Sequence, residues 1–201
     1  MVGDVRVFVA YIVLIFVSET VTSYLSAGVG LVAHSLVLVS LLVLYSLGSG
    51  EAGSSGVYLS LSLAPLIRVI SLSVPLASFP RYAWYVVASV PVLVAALASM
   101  RVQGIGFGEA GVNLRKPLAR AGVALTGVPL GYLEHWVLRP EPLAPGLSFG
   151  GLALLALALV LSTGLVEELV FRGLMLPCAV KAYGERVGLV GVAAVFAALH
   201  V

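Results

Sequence analysis

The chain has 201 residues, of which 61% are hydrophobic and only 10% are charged, and its formal net charge is +2. A soluble domain is roughly a quarter charged, so this composition excludes an ordinary soluble protein and predicts an integral membrane protein. The small and dispersed positive charge gives no reason to expect a nucleic-acid partner. The single cysteine, Cys178, excludes an intrachain disulfide.

Seven apolar runs follow one another along the chain, separated by glycine, serine, proline and charged residues. They cover residues 5–24, 29–47, 57–77, 82–100, 118–138, 147–171 and 187–201. Continuous apolar runs of about 20 residues are typical of helices that cross a bilayer. We therefore predict an all-α, polytopic transmembrane helix bundle of about six complete spans. A seventh span is expected to be truncated, because its run has only 15 residues.

The first run also has the length of a signal peptide, with Leu25-Ser26-Ala27 as a conceivable cleavage site. Glu19 interrupts the run and further spans follow, so we interpret it as a retained first helix. No repeat or low-complexity tail divides the chain. Residues 1–201 are predicted to form a single integral-membrane domain.

Basic residues are unevenly distributed if the spans alternate in direction. One side receives Arg81 and Arg139, and the other receives Arg6, Arg101, Arg115, Lys116, Arg120, Arg172, Lys181 and Arg186. The positive-inside rule then predicts a cell-membrane protein with its N-terminus in the cytoplasm. The sixth span would run inward and would end in an acidic pair, Glu167 and Glu168, near the cytoplasmic face.

This acidic pair and Arg172 lie in one of the most apolar parts of the chain. Ionisable groups at membrane depth are costly unless they pair or line a wet cavity, so such a cluster indicates function. On a helix, Glu168 and Arg172 are four residues apart and can neutralise each other. Glu167 has Phe171 at the equivalent position, and an unpaired carboxylate can act as a general base on water. The alternative is that the three side chains have a structural role and form ion pairs that hold neighbouring helices together.

A histidine, His200, follows on the next apolar run, four residues after Phe196. A lone histidine on such a face is usually a satisfied core residue. The connection between Lys181 and Arg186 is short, however, so the last two runs should be antiparallel neighbours. Glu167 and His200 could then face each other across the two helices.

Together these residues resemble a known family. Glu167-Glu168-x-x-x-Arg172 followed by Phe196-x-x-x-His200 is similar to the first two motifs of the CAAX-protease and bacteriocin-processing (CPBP or Abi) family. The resemblance covers about the last 40 residues. It implies a metal-independent intramembrane endopeptidase in which Glu167 and His200 are catalytic and activate water. Glu168, Arg172 and Phe196 would shape the site.

The implied substrate is a peptide or a prenylated protein tail, presented within the membrane lipid near the cytoplasmic face. The family's third motif, His-x-x-x-Asn on a later helix, would supply oxyanion donors, and neither His34 nor His135 has the right order or context. The resemblance thus implies a catalytic-type core from about residue 118 onward that is incomplete at its C-terminus. We therefore expect the chain to be truncated inside a helix and weak or inactive as a protease. The alternative function is a non-catalytic membrane scaffold or a bacteriocin self-immunity protein of the same fold.

A zinc site is a further possibility, because Glu167, Glu168 and His200 could supply three ligands and leave a fourth position to water. Neighbouring glutamates point in different directions on a helix, and the chain contains no His-Glu-x-x-His sequence. The resemblance also implies metal-free chemistry. We expect no metal and no other cofactor.

Two short patterns are interpreted as structural. Gly146-x-Ser148-x-Gly150 matches a nucleophile elbow, but that motif follows a strand, and here it precedes an apolar helix that it would cap. Gly106-x-Gly108-x-x-Gly111 has dinucleotide-binding spacing without the strand-helix-strand context, so we expect a flexible connection.

Arg68 is a charge inside a predicted span. We expect it to pair with Glu19 or Glu134 during helix assembly, and contact with a substrate carboxylate is the alternative. Gly127-x-x-x-Gly131 permits close helix packing.

Overall fold

The computed structural model describes residues 4–48, 55–74, 78–112, 117–141 and 143–200, and these ranges contain helices and turns but no strand. Within them we number seven helices: α1 Val5–Tyr24, α2 Ala27–Leu47, α3 Ser55–Ser73, α4 Arg81–Gln103, α5 Pro117–Leu138, α6 Phe149–Tyr183 and α7 Glu185–Ala198. Helix α3 is interrupted at Ser62, and α6 contains two π-helical segments, Val160–Gly164 and Glu168–Met175. The predicted all-α membrane bundle is confirmed.

Helices α1, α2, α3, α4 and α6 are long and apolar enough to cross a membrane. Many of their outward side chains are large and apolar, including Val13 and Phe16 on α1 and Leu36 and Val39 on α2. Such side chains suit contact with lipid, where a helix satisfies all its backbone groups internally. The chain is thus an integral membrane protein. Five of its described helices meet the criterion, compared with the six complete spans predicted.

The first helix belongs to the interior of the bundle. Its buried residues include Phe8, Ile15 and Glu19. The ring of Phe8 stacks on Tyr183 at the end of α6, with 4.8 Å between ring centroids. The first run therefore forms a helix that packs into the bundle, and its retention in the mature protein stays a prediction.

Two cavities show which helix ends lie together. One is lined by Tyr45 near the end of α2, Gly56 near the start of α3, Gln103 at the end of α4 and Lys181 near the end of α6. We call this the basic end of the bundle. At the opposite end, another cavity joins Tyr82, near the start of α4, to Glu141, Leu143 and Leu147, which precede α6.

The chain therefore leaves α4 at the basic end and enters α6 from the opposite end. Along the chain, helix α5 comes between α4 and α6. With 22 residues, it is about 33 Å long at 1.5 Å per residue. That length would be sufficient to cross the bundle, and residues 118–138 were predicted to be a complete span. Helix α5 is nevertheless not among the apolar candidate spans, and none of its residues is buried. Within the described residues, a Cβ atom on Gly127 or Gly131 would meet nothing within 4 Å, so the close helix packing expected at these glycines is not seen there.

Helix α6 is longer than the predicted run of residues 147–171, because it continues to Tyr183. The charges at its centre do not end it: Arg172 Nη1 donates to Glu168 Oε2 at 2.8 Å, and the following residues, Leu174 and Met175, are fully buried. The helix begins where Ser148 Oγ accepts a hydrogen bond from the Gly151 backbone nitrogen at 3.3 Å. The glycine-serine-glycine pattern is thus a helix cap, as expected.

Helices α6 and α7 form a tight antiparallel hairpin around Gly184. This residue has φ of 87°, a conformation that glycine adopts at little cost. Four residues later, a Cβ atom on Gly188 would lie 2.7 Å from the Val180 backbone nitrogen, so only glycine allows the two helices to approach this closely. The predicted antiparallel neighbours are present.

Candidate active site

A cavity of about 260 Å³ contains both predicted catalytic residues, Glu167 and His200. It lies between α3, α4, α6 and the residues that follow α7. Its other polar lining residues are Arg68, Ser71, Tyr85, Ser89, Ser162 and Thr163. A carboxylate and an imidazole therefore share one small, partly polar space in an otherwise apolar bundle.

The hairpin explains why these two residues meet. Glu167 lies seventeen residues before Gly184, and His200 lies sixteen residues after it. Both are therefore about 25 Å from the turn along antiparallel helices, at 1.5 Å per residue. No hydrogen bond or ion pair joins the two side chains in the described part of the chain. The cavity between them has room for water, which occupies about 30 Å³ per molecule in the liquid.

The imidazole of His200 is oriented by its own helix. His200 Nδ1 lies 2.8 Å from the carbonyl oxygen of Phe196. A carbonyl can only accept, so we assign the proton to Nδ1, which leaves Nε2 as an acceptor. The Phe196 ring packs against the imidazole with centroids 4.3 Å apart, and Phe171 meets Phe196 edge-on at 5.0 Å.

Glu168 and Arg172 lie on a different face of α6 from the small cavity. Their ion pair is 2.7 Å long, and the two side chains are 53% and 74% exposed, respectively. They line a larger cavity of about 600 Å³ between α6 and α7, to which Glu167 and Phe196 also contribute. Glu167 thus borders both cavities, whereas the ion pair borders only the larger one.

The polar cluster around Arg68 adjoins the small cavity. Arg68 Nε donates to Glu19 Oε2 at 2.7 Å, and Arg68 Nη2 contacts the other carboxylate oxygen and the carbonyl of Leu199. His34 Nε2 lies 3.3 Å from Glu19, although neither ring nitrogen makes a hydrogen bond with good geometry. Glu134, the other expected partner of Arg68, is exposed on α5 and does not reach it.

The possible zinc ligands do not converge. Glu168 is held by Arg172, on a face of α6 that does not line the small cavity where Glu167 and His200 lie. Within the described residues, no group of three or more histidine, cysteine, aspartate or glutamate side chains is placed to hold a metal ion.

Sequence reasoning missed Ser162. Its side chain is 7% exposed, lines the small cavity, and has a hydroxyl without a hydrogen-bond partner in the described structure. It lies in the first π-helical segment of α6, and such segments are frequent at functional sites. Its position inside an otherwise apolar run is the signal that could have identified it.

The site lies away from the basic end of the bundle. Glu19 is fourteen residues after the start of α1 and five before its end, and Arg68 is thirteen after the start of α3 and five before its end. Both helices start at the basic end. Two sequence predictions therefore conflict: if basic residues mark the cytoplasm, the acidic pair is not near the cytoplasmic face. The reason is that α6 continues past Glu167 for sixteen residues.

Residues 149–201 match the sequence model of a family described as type II CAAX prenyl endopeptidase, Rce1-like. This C-terminal segment is similar to the Rce1-like family, and the match covers about a quarter of the chain. The Rce1-like segment consists of α6, α7 and the residues that join them, and it contains Ser162, Glu167 and His200. The family prediction is thereby confirmed, at the level of a CAAX-type endopeptidase. No curated protein and no solved structure matches the chain significantly.

Proposed function

We propose that this chain is an intramembrane endopeptidase that hydrolyses a peptide bond in a peptide or a prenylated protein tail. The observation that carries the proposal is the shared cavity of Glu167 and His200. Both residues belong to the segment similar to CAAX prenyl endopeptidases, and the hairpin holds them at matching distances from its turn.

In the proposed reaction, a water molecule lies between the Glu167 carboxylate and His200 Nε2. Glu167 accepts a proton from the water as general base. The water oxygen then bonds to the peptide carbonyl carbon, the carbon–nitrogen bond breaks, and the proton passes to the leaving amine. The products are a new carboxylate on one fragment and a free amine on the other. The step is balanced without a metal ion.

The larger cavity is the proposed place for the lipid part of the substrate. It adjoins Glu167 and is lined mainly by apolar side chains of α6 and α7, among them Leu165, Leu176, Leu189 and Val192. Apolar lining with a few polar groups suits a ligand with a hydrocarbon chain. The Glu168–Arg172 pair at this cavity shapes the site by fixing Glu168, so that Glu167 is the carboxylate left free for the reaction.

The test uses the full chain in lipid nanodiscs and a farnesylated peptide with a C-terminal CAAX sequence. Cleavage is followed by mass spectrometry. Glu167→Gln and His200→Asn should each lower kcat by about 10²–10⁴-fold, because the first removes the general base and the second removes the Nε2 atom that holds the water. Glu185→Gln is the matched control, since Glu185 is exposed in the first turn of α7, and its activity should equal that of the wild type. A zinc chelator should leave the rate unchanged.

Undiminished cleavage by Glu167→Gln would contradict the mechanism. Absence of cleavage by the wild-type chain in the same lipid would contradict an active protease. It would agree with the weak or inactive chain, or with the non-catalytic scaffold or self-immunity protein, expected from the sequence.

A further inference from the structure

The carbonyl groups around His200 are engaged by nearby donors. The last carbonyls of a helix have no partner within the helix and need one from elsewhere. The Phe196 carbonyl accepts from the His200 ring at 2.8 Å, and the Ala197 carbonyl accepts from the His200 backbone nitrogen at 3.0 Å. The carbonyl of Leu199, the residue directly before His200, accepts from Arg68.

Arg68 reaches this carbonyl from α3 in a fixed direction. Its planar guanidinium contacts both carboxylate oxygens of Glu19, and this forked geometry determines where the remaining donors point. Glu19 is itself only 3% exposed and lies against His34, which is fully buried. Three helices, α1, α2 and α3, thus hold one cation against the peptide unit that carries His200.

We propose that Arg68 is a positioning residue for His200. Oriented by Glu19, it holds the Leu199 carbonyl and thereby fixes the backbone from which the imidazole projects into the cavity. The inference rests on the proposed function, since it assigns Arg68 a part in placing the catalytic imidazole. A shift of about 1 Å in a reacting group can cost about 100-fold in rate. The cluster therefore contributes to turnover although it performs no proton transfer.

The first experiment measures cleavage of the farnesylated peptide by Arg68→Met and Arg68→Lys. Arg68→Met should lower kcat by about 10- to 100-fold and change KM by less than about twofold, because positioning acts on the reaction more than on binding. Arg68→Lys keeps a cation beside Glu19 but lacks the forked guanidinium. This variant should therefore fold, and its kcat should fall less than that of Arg68→Met. Arg101→Met, an exposed arginine at the end of α4, is the control and should keep full activity.

A double-mutant cycle separates positioning from general structural damage. If Arg68 acts through His200, Arg68→Met should lower the residual rate of a His200→Asn enzyme by less than about twofold, since coupled residues are not additive. An equal loss in the wild-type and His200→Asn backgrounds would overturn the inference.

A spectroscopic measurement makes the inference independent of catalysis. The chain has three histidines, His34, His135 and His200, whose ring nitrogens can be followed by NMR after ¹⁵N-histidine labelling. Arg68→Lys should shift the His200 resonances and leave those of His135 on α5 unchanged. Unchanged His200 resonances would overturn the inference. A shift of His200 in a chain that cleaves no peptide would support the contact while contradicting the proposed function.

Discussion

At the scale of single residues, Ser162 is a polar group whose position has a cost. A buried hydroxyl without a partner costs about 1–3 kcal/mol, and Ser162 is in this state in the described structure. It lines the cavity of Glu167 and His200. A donor at this place could stabilise the oxyanion that forms when water attacks a carbonyl.

We therefore expect Ser162→Ala to lower kcat by about 100-fold, the usual effect of removing one oxyanion donor. The melting temperature should be unchanged or higher, because an unsatisfied buried group is removed. Peptide cleavage and thermal unfolding are measured on the same preparation. Ser89→Ala is the control, since Ser89 lines the same cavity but its hydroxyl already donates to the Val86 carbonyl at 3.0 Å. A lower melting temperature with an unchanged rate would contradict this role.

At the scale of helices, the α6–α7 hairpin depends on its glycines. A Cβ atom at Gly188 would meet the Val180 backbone, which cannot move aside as a flexible side chain would. We expect Gly188→Ala to destabilise the bundle by about 1–3 kcal/mol, as overpacking does, and to lower the melting temperature measured in detergent. Gly127→Ala on α5 is the control: nothing lies within 4 Å of its added Cβ, and it should be neutral or stabilising by up to about 1 kcal/mol. Equal melting temperatures for the two variants would show that the close approach is unimportant.

Much of the helical pattern could be predicted from the sequence, because a membrane helix must be a long apolar run. The antiparallel order of the last two runs could also be predicted, since Lys181 to Arg186 allows only a short turn. The C-terminal end of α6 could not be predicted from the sequence. A charge usually suggests that a span is ending, but Arg172 is neutralised by Glu168 within the helix, so the helix continues. The π-helical segments, which leave no mark in apolar periodicity, could not be predicted either.

At the scale of the whole molecule, the basic side chains distinguish the two ends of the bundle. Arg6, Arg101 and Lys181 belong to the basic end, where α1 begins and α4 and α6 end, whereas Arg139 lies just before the opposite end. We propose that the basic end, and with it the N-terminus, is cytoplasmic. The cavity of Glu167 and His200 then lies in the half of the membrane away from the cytoplasm.

Cysteine labelling tests this orientation. In a Cys178→Ser background, Ser26→Cys, in the turn between α1 and α2, should react with an impermeant maleimide on intact cells. Glu185→Cys, at the basic end, should react only after the membrane is permeabilised. The reverse pattern would contradict the proposed orientation and would return the cavity to the cytoplasmic half, where the acidic pair was predicted from the sequence.

The assembly of the site shows where sequence analysis reaches its limit. The pairing of Glu168 with Arg172 was predictable because their spacing follows helical periodicity, whereas the roles of Glu167 and His200 come from the family resemblance and stay predictions. Ser162 and the contact between Arg68 and Leu199 depend on how distant helices pack, and a single sequence does not contain that information. The choice between Glu19 and Glu134 as the partner of Arg68 was open for the same reason, because both are acids in apolar runs.

The two arms of the hairpin, from Glu167 to Gly184 and from Gly184 to His200, are nearly equal in length. This equality restricts how the protein can evolve. Insertion of one residue in either arm would rotate Glu167 or His200 by about 100° relative to the other. It would also displace that side chain by about 1.5 Å along its helix. Point substitutions can accumulate freely on the lipid side of these arms, but their lengths cannot drift independently. Homologous hairpins of different length should therefore show paired insertions, one in each arm.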